Sequence, residues 1–289
     1  MEGVLPAVAI PFKGSSVDAE GLLNHALSLI KAGVDGFFAL GTTGQGILLN
    51  VNERRVALEA LRQANPRYLV VQVGSPDWDT VTETVKLAER LEADAIATIP
   101  PIYYRPDYET LRRYLEKITG LTSLPLYIYN IPQNTGFNVT PELAQRLIKD
   151  GVRLGGFKDS TGDLAQIMGF VDLGLSVFNG ADRLIVPSLI VGAKGTISAL
   201  ANSVPELVVE AYRAFKAGDM ARAMEVQRRL SRLRDAIGKY PSPAVHYSLV
   251  KLLRYDFGSV KEPLVRGLSS QEEASLASEL RSLGFSVRV

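Results

Sequence analysis

Short apolar runs alternate with segments of helical periodicity over most of the chain. Eight runs predict β-strands over residues 4–10, 36–40, 68–73, 95–99, 126–129, 154–158, 176–179 and 195–199. Each run is followed by a segment with apolar residues at helical spacing, and these segments predict helices over residues 18–31, 52–64, 77–91, 107–119, 140–148, 163–172, 182–191 and 204–216. Both faces of most strands are apolar, which is typical of a parallel sheet covered by helices. The pattern therefore predicts an α/β protein, a (β/α)8 TIM barrel, because eight strand–helix units close such a barrel.

An open, doubly wound sheet is the alternative architecture for alternating strands and helices. The G-x-G-x-x-G fingerprint of its dinucleotide-binding form is missing after the first strand. Beyond Gly218, three more helices are predicted over residues 219–237, 243–255 and 270–283, with no linker rich in glycine, serine or proline before them. We therefore predict a catalytic barrel over residues 1–218 and a C-terminal three-helix extension, packed on the barrel, over residues 219–289.

The composition excludes several classes of function. A net charge of +1 gives no reason to expect nucleic acid or a membrane surface as a partner, and no apolar run has the length of a membrane span. The absence of cysteine excludes disulfides and thiolate metal sites, and it fits a cytoplasmic protein. The two histidines, His25 and His246, lie on separate predicted helices, so neither a histidine-ligated metal nor a serine–histidine triad is expected. Arginines follow one another closely in residues 228–234, and we interpret them as a solvated or interface helix face.

Lys158 ends the sixth predicted strand, which is an unusual place for a lysine. A lysine at the carboxyl end of an apolar strand points toward the mouth or the interior of a barrel. Partial burial there disfavours the ammonium form, and a neutral amine forms a Schiff base with a carbonyl substrate. The alternative is a lysine that reaches solvent or pairs with the neighbouring Asp159. The segment alone leaves both interpretations open.

The ends of the other strands carry further candidates, because the carboxyl ends of barrel strands converge on one mouth. A glycine-rich turn follows the second strand and contains two hydroxyls and free backbone N–H groups, so it is either an anion-binding turn or an ordinary one. Further candidate groups lie in or just after the ends of strands two, four, five, seven and eight. They offer hydroxyls, a guanidinium or uncovered backbone, and they belong to Thr42, Thr43, Tyr103, Tyr104, Arg105, Tyr129, Gly180 and Ile197. A phosphosugar isomerase would need a glutamate base at a strand end, and none is found there. Imine chemistry on Lys158, which needs no metal and no cofactor, is what remains.

Three motifs in this order resemble the dihydrodipicolinate synthase / N-acetylneuraminate lyase superfamily, namely residues 41–44 (G-T-T-G), 129–132 (Y-N-I-P) and 156–160 (G-F-K-D-S). The resemblance covers nearly the whole chain. It implies a Schiff base between pyruvate and Lys158, proton transfer by Tyr129, and binding of the pyruvate carboxylate by Thr42 and Thr43. It also implies a homotetramer, a dimer of dimers, in which Tyr103 lies near the partner subunit's site.

Two departures from the synthases point to a different substrate. Synthases that use aspartate semialdehyde carry an arginine where this chain has Asn134, and usually a glutamate where it has Gln45. The chain is more similar to archaeal-type 2-keto-3-deoxygluconate aldolases, which act in the Entner–Doudoroff pathway. That resemblance implies a class I aldolase, a carbon–carbon lyase that cleaves 2-keto-3-deoxygluconate to pyruvate and glyceraldehyde. Its 6-phosphate is a further candidate substrate, with Arg105 as the phosphate ligand and Lys239 and Ser242 as weaker candidates.

We expect Tyr129, oriented by Thr43, to take the proton from the C4 hydroxyl as the C3–C4 bond breaks. A dihydrodipicolinate synthase or another pyruvate-dependent lyase is the nearest alternative. A non-catalytic barrel that binds a 2-keto acid is a more distant one. The sequence leaves open the configuration at C4, the preference for phosphate and the size of the oligomer.

Overall fold

A computed structural model describes residues 1–288, and its centre is a barrel of eight parallel strands. Strands β1–β8 span Gly3–Pro6, Gly36–Ala39, Tyr68–Gln72, Ala95–Thr98, Leu126–Asn130, Gly156–Asp159, Ser176–Asn179 and Gly195–Ser198. Helices α1–α12 span Ala19–Lys31, Val51–Gln63, Trp78–Arg90, Tyr108–Leu121, Pro132–Thr135, Pro141–Lys149, Leu164–Asp172, Ile185–Ile190, Pro205–Lys216, Met220–Ile237, Ala244–Leu253 and Ser270–Ser282. The predicted (β/α)8 fold is confirmed.

The sheet closes on itself between its first and second strands. Strand β1 pairs in parallel with β8, and each later strand pairs with its neighbour in sequence. On the open side of β1, Ala7 bridges to Phe38, and the Val8 N–H donates to the Phe38 carbonyl at 3.1 Å. The carboxyl ends of all eight strands therefore lie around one mouth.

Apolar side chains form two layers around the strands. The interior of the barrel is filled by a small cluster of buried residues that includes Leu5, Phe38, Tyr129, Phe178 and Ile197. A much larger cluster lies between the strands and the surrounding helices. The strands are buried on both faces because each layer covers one of them, as the apolar runs in the sequence predict.

Helix starts agree with the sequence where a single polar residue precedes the apolar pattern. Asp18, Asp77, Asp107 and Thr140 each cap a helix by accepting a backbone N–H, as predicted. The prediction that Asn52 opens the second helix is wrong by one residue. The helix begins at Val51, because Asn50 and Glu53 form a capping box there.

Two other local predictions need correction. The first strand was expected to run from residue 4 to residue 10, but it ends at Pro6, and a hairpin of Phe12–Lys13 with Ser16–Val17 follows. The helix expected over residues 182–191 is a 3₁₀ turn over Asp182–Leu184 followed by α8. Asp182 does not cap it, because its buried carboxylate accepts from Ser198 and from the Leu200 N–H.

Helix α11 of the C-terminal extension contacts the barrel directly. The Tyr247 hydroxyl of α11 donates to the Ile10 carbonyl at 2.8 Å and accepts from Gln45 Nε2 at 2.7 Å. Gln45 Oε1 in turn accepts from the Lys261 N–H at 2.9 Å. Helix α11 is therefore fixed against the turn that follows β2. The division of the chain into a catalytic barrel and a C-terminal extension at residue 218 stays a prediction. None of the helices in residues 1–288 has an apolar stretch long enough to cross a membrane.

Candidate active site

Lys158 lies in the barrel interior, near the end of β6, and only 2% of it is exposed. Its Nζ is 4.0 Å from the centroid of the Phe38 ring and 3.7 Å from that of the Tyr129 ring. Residues 129 and 158 are register partners on the paired strands β5 and β6. The strand pairing therefore brings the amine and the phenol to the same level of the barrel.

Burial lowers the pKa of the Lys158 amine well below its usual value, and the carboxylate of Asp182 opposes this effect. Removal from water disfavours the ammonium, so a much larger fraction of the amine is neutral than in an exposed lysine. The alternative pairing with Asp159 does not occur. The Asp159 carboxylate instead accepts from Asn130 at 2.9 Å and from Gln166 at 2.8 Å.

The Tyr129 hydroxyl shares a hydrogen bond of 3.1 Å with Thr42 Oγ1. The prediction that Thr43 orients this tyrosine is therefore wrong. The preceding threonine is the one that hydrogen-bonds to the phenol, although both threonines line the same cavity. Burial raises the pKa of Tyr129 to about 12, although the hydrogen bond with Thr42 lowers it. The phenol is therefore protonated at neutral pH.

The turn after β2 has the features of a carboxylate-binding loop. No backbone N–H of residues 42–44 donates to a backbone carbonyl in the described part of the chain. Glycine is required at position 46, since a Cβ there would lie 1.8 Å from the Leu40 carbonyl oxygen. At Gly41, a Cβ would lie 3.9 Å from Lys158 Nζ and 2.8 Å from the Phe38 ring. The missing side chain at Gly41 thus leaves space between the turn and the amine.

A cavity of about 710 Å³ opens above these groups. Its lining includes Thr42, Thr43, Tyr129 and Gly180. Groups of the C-terminal helices and of the segment before α11 also line it, namely Arg234, Ser242, Pro243 and His246. A second cavity of about 240 Å³ lies on the other side of Thr42 and Tyr129 and has a mostly apolar wall that includes Ile47, Leu48, Ile99 and Ile102. The larger cavity has room for a keto acid well beyond three carbons.

Of the predicted residues, Thr42, Thr43, Tyr129 and Gly180 line the larger cavity, and Lys158 lies beside the Tyr129 ring without lining either cavity. Four other predicted residues line neither cavity, namely Tyr103, Arg105, Ile197 and Lys239. Ile197 belongs to the barrel interior and is 3% exposed. Tyr103 is 91% exposed, Arg105 is exposed, and neither lines the two cavities of this chain. Lys239 pairs with Glu279 on α12, so the expectation that it reaches a substrate phosphate is not met.

Several polar groups of the site were not anticipated as such. The sequence indicated Asp182 only as the first residue of a helix, Arg234 as part of a solvated or interface helix face, and His246 only as too distant from His25 to form a metal site. Burial raises the pKa of Asp182, while its hydrogen bond with Ser198 lowers it. A place just after a strand end was the available signal for Asp182. The two groups of the C-terminal helices had none, since only tertiary packing brings those helices to the barrel mouth.

Arg54 supports the turn from behind. Its side chain is completely buried and donates to four backbone carbonyls, of Gly46, Leu49, Val73 and Gly74, and to the Thr84 hydroxyl. Burial lowers the pKa of this guanidinium to about 10, so it stays charged at neutral pH. The contacts connect the loop after β2 to the loop after β3.

A closed eight-stranded barrel with a desolvated lysine at the end of its sixth strand defines the class of Schiff-base lyases built on the TIM fold. The chain belongs to the dihydrodipicolinate synthetase family, whose model matches residues 1–282. Members of this family use a covalent Schiff-base lysine and no metal or cofactor. Residues 1–288 contain no group of three or more His, Cys, Asp or Glu side chains placed to hold a metal ion.

Relatives with different activities resemble the chain over nearly its full length. A 4-hydroxy-tetrahydrodipicolinate synthase of Methanopyrus kandleri is 33% identical over 292 residues, which cover 99% of this chain and 97% of the relative. The crystal structure of KD(P)GA from T. tenax is 30% identical, with a TM-score of 0.91 and coverage of 98% and 99% of the two chains. A variant of the Sulfolobus solfataricus 2-keto-3-deoxygluconate aldolase is 26% identical, with a TM-score of 0.91 and coverage of 98% and 96%. The protein is therefore a pyruvate-dependent Schiff-base lyase of the synthase and aldolase type.

Proposed function

We propose that the protein is a class I aldolase that cleaves 2-keto-3-deoxygluconate to pyruvate and glyceraldehyde. The observation that carries this proposal is the position of the Lys158 amine, buried against Tyr129 and beside the Thr42–Thr43 turn. An amine with a depressed pKa attacks a keto group, and the turn offers N–H and hydroxyl groups to the adjacent carboxylate.

The first step joins the enzyme to its substrate. The neutral Lys158 amine adds to the C2 carbonyl, and the carbinolamine loses water to give an iminium. Thr42 and Thr43 hold the C1 carboxylate, and the bare backbone at Gly180 admits the chain beyond C2. Because the iminium withdraws electrons from C3, it prepares the C3–C4 bond for cleavage.

Bond cleavage then needs a path for one proton. The C4 hydroxyl gives its proton to the Tyr129 oxygen, the phenolic proton moves to Thr42 Oγ1, 3.1 Å away, and the threonine's own hydroxyl proton passes to solvent in the cavity. The C3–C4 electrons form an enamine, and the C4 oxygen becomes the carbonyl of glyceraldehyde. Protonation of the enamine at C3 and addition of water then release pyruvate and restore the amine. The water consumed here equals the water lost in the first step.

The choice of substrate rests on residues at the mouth of the site. Asn134 lines both cavities where a synthase has its arginine, so it offers no positive charge to a dicarboxylic product. The T. tenax and Sulfolobus aldolases support the sugar acid, whereas the synthase names of archaeal relatives support the rival reaction with aspartate semialdehyde. The 6-phosphate remains a candidate substrate, with Arg105 as its proposed ligand and Ser242 nearer the cavity.

The central experiment traps the imine. Sodium borohydride with pyruvate should fix a three-carbon adduct on the peptide that contains Lys158, and Lys158→Ala should show neither adduct nor turnover. Label on a different lysine, or none in the wild type, would contradict the proposal.

A second assay separates the substrates. Pyruvate release should be measured from 2-keto-3-deoxygluconate and its 6-phosphate, beside condensation of pyruvate with aspartate semialdehyde. Turnover with pyruvate and aspartate semialdehyde, and with neither sugar acid, would favour the synthase alternative. Adduct formation without turnover in any assay would favour a keto-acid-binding barrel. Arg105→Ala should reduce turnover of the phosphorylated sugar far more than turnover of the free sugar.

We also propose a homotetramer in which Tyr103 of one copy reaches the site of the next. Tyr103 and Tyr104 are 91% and 81% exposed, and the smaller cavity behind Tyr129 is open to a neighbouring side chain. The proposed location in the cytoplasm and the place in an Entner–Doudoroff type of carbohydrate breakdown rest on the composition and on the proposed substrate.

A further inference from the structure

The two histidines of the chain are both buried, but they differ in their hydrogen bonds. His25 Nδ1 bonds to the Tyr255 hydroxyl at 2.7 Å, and its Nε2 bonds to Asn202 Oδ1 at 3.0 Å. His246 is 4% exposed, and its Nδ1 is buried without a hydrogen-bond partner among residues 1–288. His25 is therefore a satisfied structural residue, whereas His246 has unused hydrogen-bonding capacity.

His246 lines the larger cavity together with Ser242 and Arg234, and the Thr42–Thr43 turn and Tyr129 line the same cavity. A keto acid whose carboxylate is held by the turn extends its C4 to C6 portion away from Lys158. That portion carries the hydroxyls of the aldehyde product, and His246 is one of the polar side chains that line the cavity it enters.

The imidazole has the chemistry of a hydroxyl-binding group. Burial and the nearby charge of Arg234 lower the pKa of His246 to about 3, so the ring is neutral at physiological pH. A neutral imidazole has one N–H donor and one acceptor nitrogen, as a sugar hydroxyl has a donor and an acceptor. A buried polar group without a partner is unfavourable, so a ligand that pairs with the imidazole gains affinity.

We propose that His246 is a specificity-determining residue that binds a hydroxyl of the aldehyde-derived half of the substrate. This inference rests on the proposed aldolase function, because it takes Lys158 and the threonine turn as the other end of the ligand. It assigns to α11 a direct part in the choice of substrate, in addition to its packing against the barrel.

The test uses the reaction in the direction of synthesis, with pyruvate and two aldehydes. Glyceraldehyde carries hydroxyls, and propanal has the same carbon chain without them. For His246→Leu we expect kcat/KM with glyceraldehyde to fall at least tenfold relative to kcat/KM with propanal, while the borohydride-trapped pyruvate adduct stays unchanged. His246→Asn, which keeps a donor and an acceptor, should recover part of the preference for glyceraldehyde.

Ser248→Ala is the matched control on the same helix. Ser248 is buried and bonds to Glu273, and it does not line the larger cavity. We expect this variant to keep the wild-type ratio of the two aldehydes even if its thermal stability falls. If His246→Leu leaves the ratio unchanged, whether both activities fall together or neither falls, the inference is wrong.

Failure of the aldolase proposal is recognised separately, because the wild type would then form no pyruvate adduct. Calorimetric binding of gluconate, which needs no imine, still tests the histidine. Binding at least tenfold weaker in His246→Leu supports the inference. Equal binding, or no binding to the wild type, overturns it.

Discussion

The residue proposed to form the Schiff base is a lysine whose neutral form is favoured by its surroundings. Two aromatic rings contact the Lys158 amine, and the charge of Asp182 opposes the effect of burial on its pKa. Asp182 is itself buried, and its carboxylate already accepts hydrogen bonds from Ser198 and from the Leu200 N–H. Burial therefore outweighs this partner, and the amine can act as a nucleophile near neutral pH.

The two threonines of the turn are expected to have separate roles. Thr42 bonds to the Tyr129 hydroxyl, so Thr42→Val and Tyr129→Phe should both slow bond cleavage, by about a hundred- to ten-thousand-fold for the tyrosine. Thr43→Val should mainly raise KM, because its hydroxyl serves the carboxylate. Rapid-quench measurement of cleavage beside borohydride trapping separates these effects. A Thr43→Val variant with the larger loss in the cleavage step would reverse the assignment.

At the scale of elements, loops and helices from distant parts of the chain hold the threonine turn in place. Arg54, in the first turn of α2, donates to the Gly46 carbonyl in the loop after β2 and to the Val73 and Gly74 carbonyls in the loop after β3. Gln45 connects the same turn to α11 through the Tyr247 hydroxyl. An amide can donate to Tyr247 and accept from Lys261, whereas a glutamate carboxylate can only accept. Gln45, which stands where synthases usually have a glutamate, therefore matches the donor and the acceptor that the C-terminal extension offers it.

Replacing Arg54 by lysine tests this support. Lysine keeps the charge but has a shorter reach and three donors instead of five, so several buried carbonyls would lose their partner. We expect a loss of at least about 3 kcal/mol in the free energy of unfolding and a lower turnover rate. Urea unfolding and steady-state kinetics measure both, and Arg55→Lys, an exposed neighbour on the same helix, is the control. Wild-type stability in Arg54→Lys would show that these hydrogen bonds contribute little.

At the scale of the whole molecule, closure of the barrel unites groups that are far apart in the chain. The turn at residues 41–46, Tyr129, Lys158 and the C-terminal helix α11 meet at one mouth because parallel strands place all their carboxyl ends on one side. The same closure buries His25 and His246 and lowers their pKa values to about 4 and about 3. Burial of ionisable groups thus connects the stability of the fold to pH.

The stability of the protein should fall as the pH drops from 8 to 5. Unfolded histidine takes up a proton near pH 6.5, whereas folded His246 stays neutral to about pH 3, so the unfolded state binds more protons in this window. The expected loss from His246 is roughly 2 kcal/mol between pH 8 and pH 5. Chemical denaturation of the wild type and of His246→Leu at each pH measures it. Between pH 8 and pH 5, the free energy of unfolding of His246→Leu should fall by about 2 kcal/mol less than that of the wild type. If the two proteins show the same dependence of stability on pH, the lowered pKa of His246 is disproved.

The sequence by itself determined the alternation of strands and helices, the eight-stranded barrel and the place of Lys158 at a strand end. These follow from local periodicity and from residues that cap their own helices, such as Asp18 and Asp77. Only the tertiary structure decided that Thr42 contacts Tyr129, that Arg54 supports the turn, and that His246 lies on the cavity wall. Those contacts join residues from separate elements, and their geometry depends on how the barrel closes and how the last three helices pack on it. Hydrophobic pattern sets which face of an element is buried, but it does not specify which polar atoms meet across the barrel mouth.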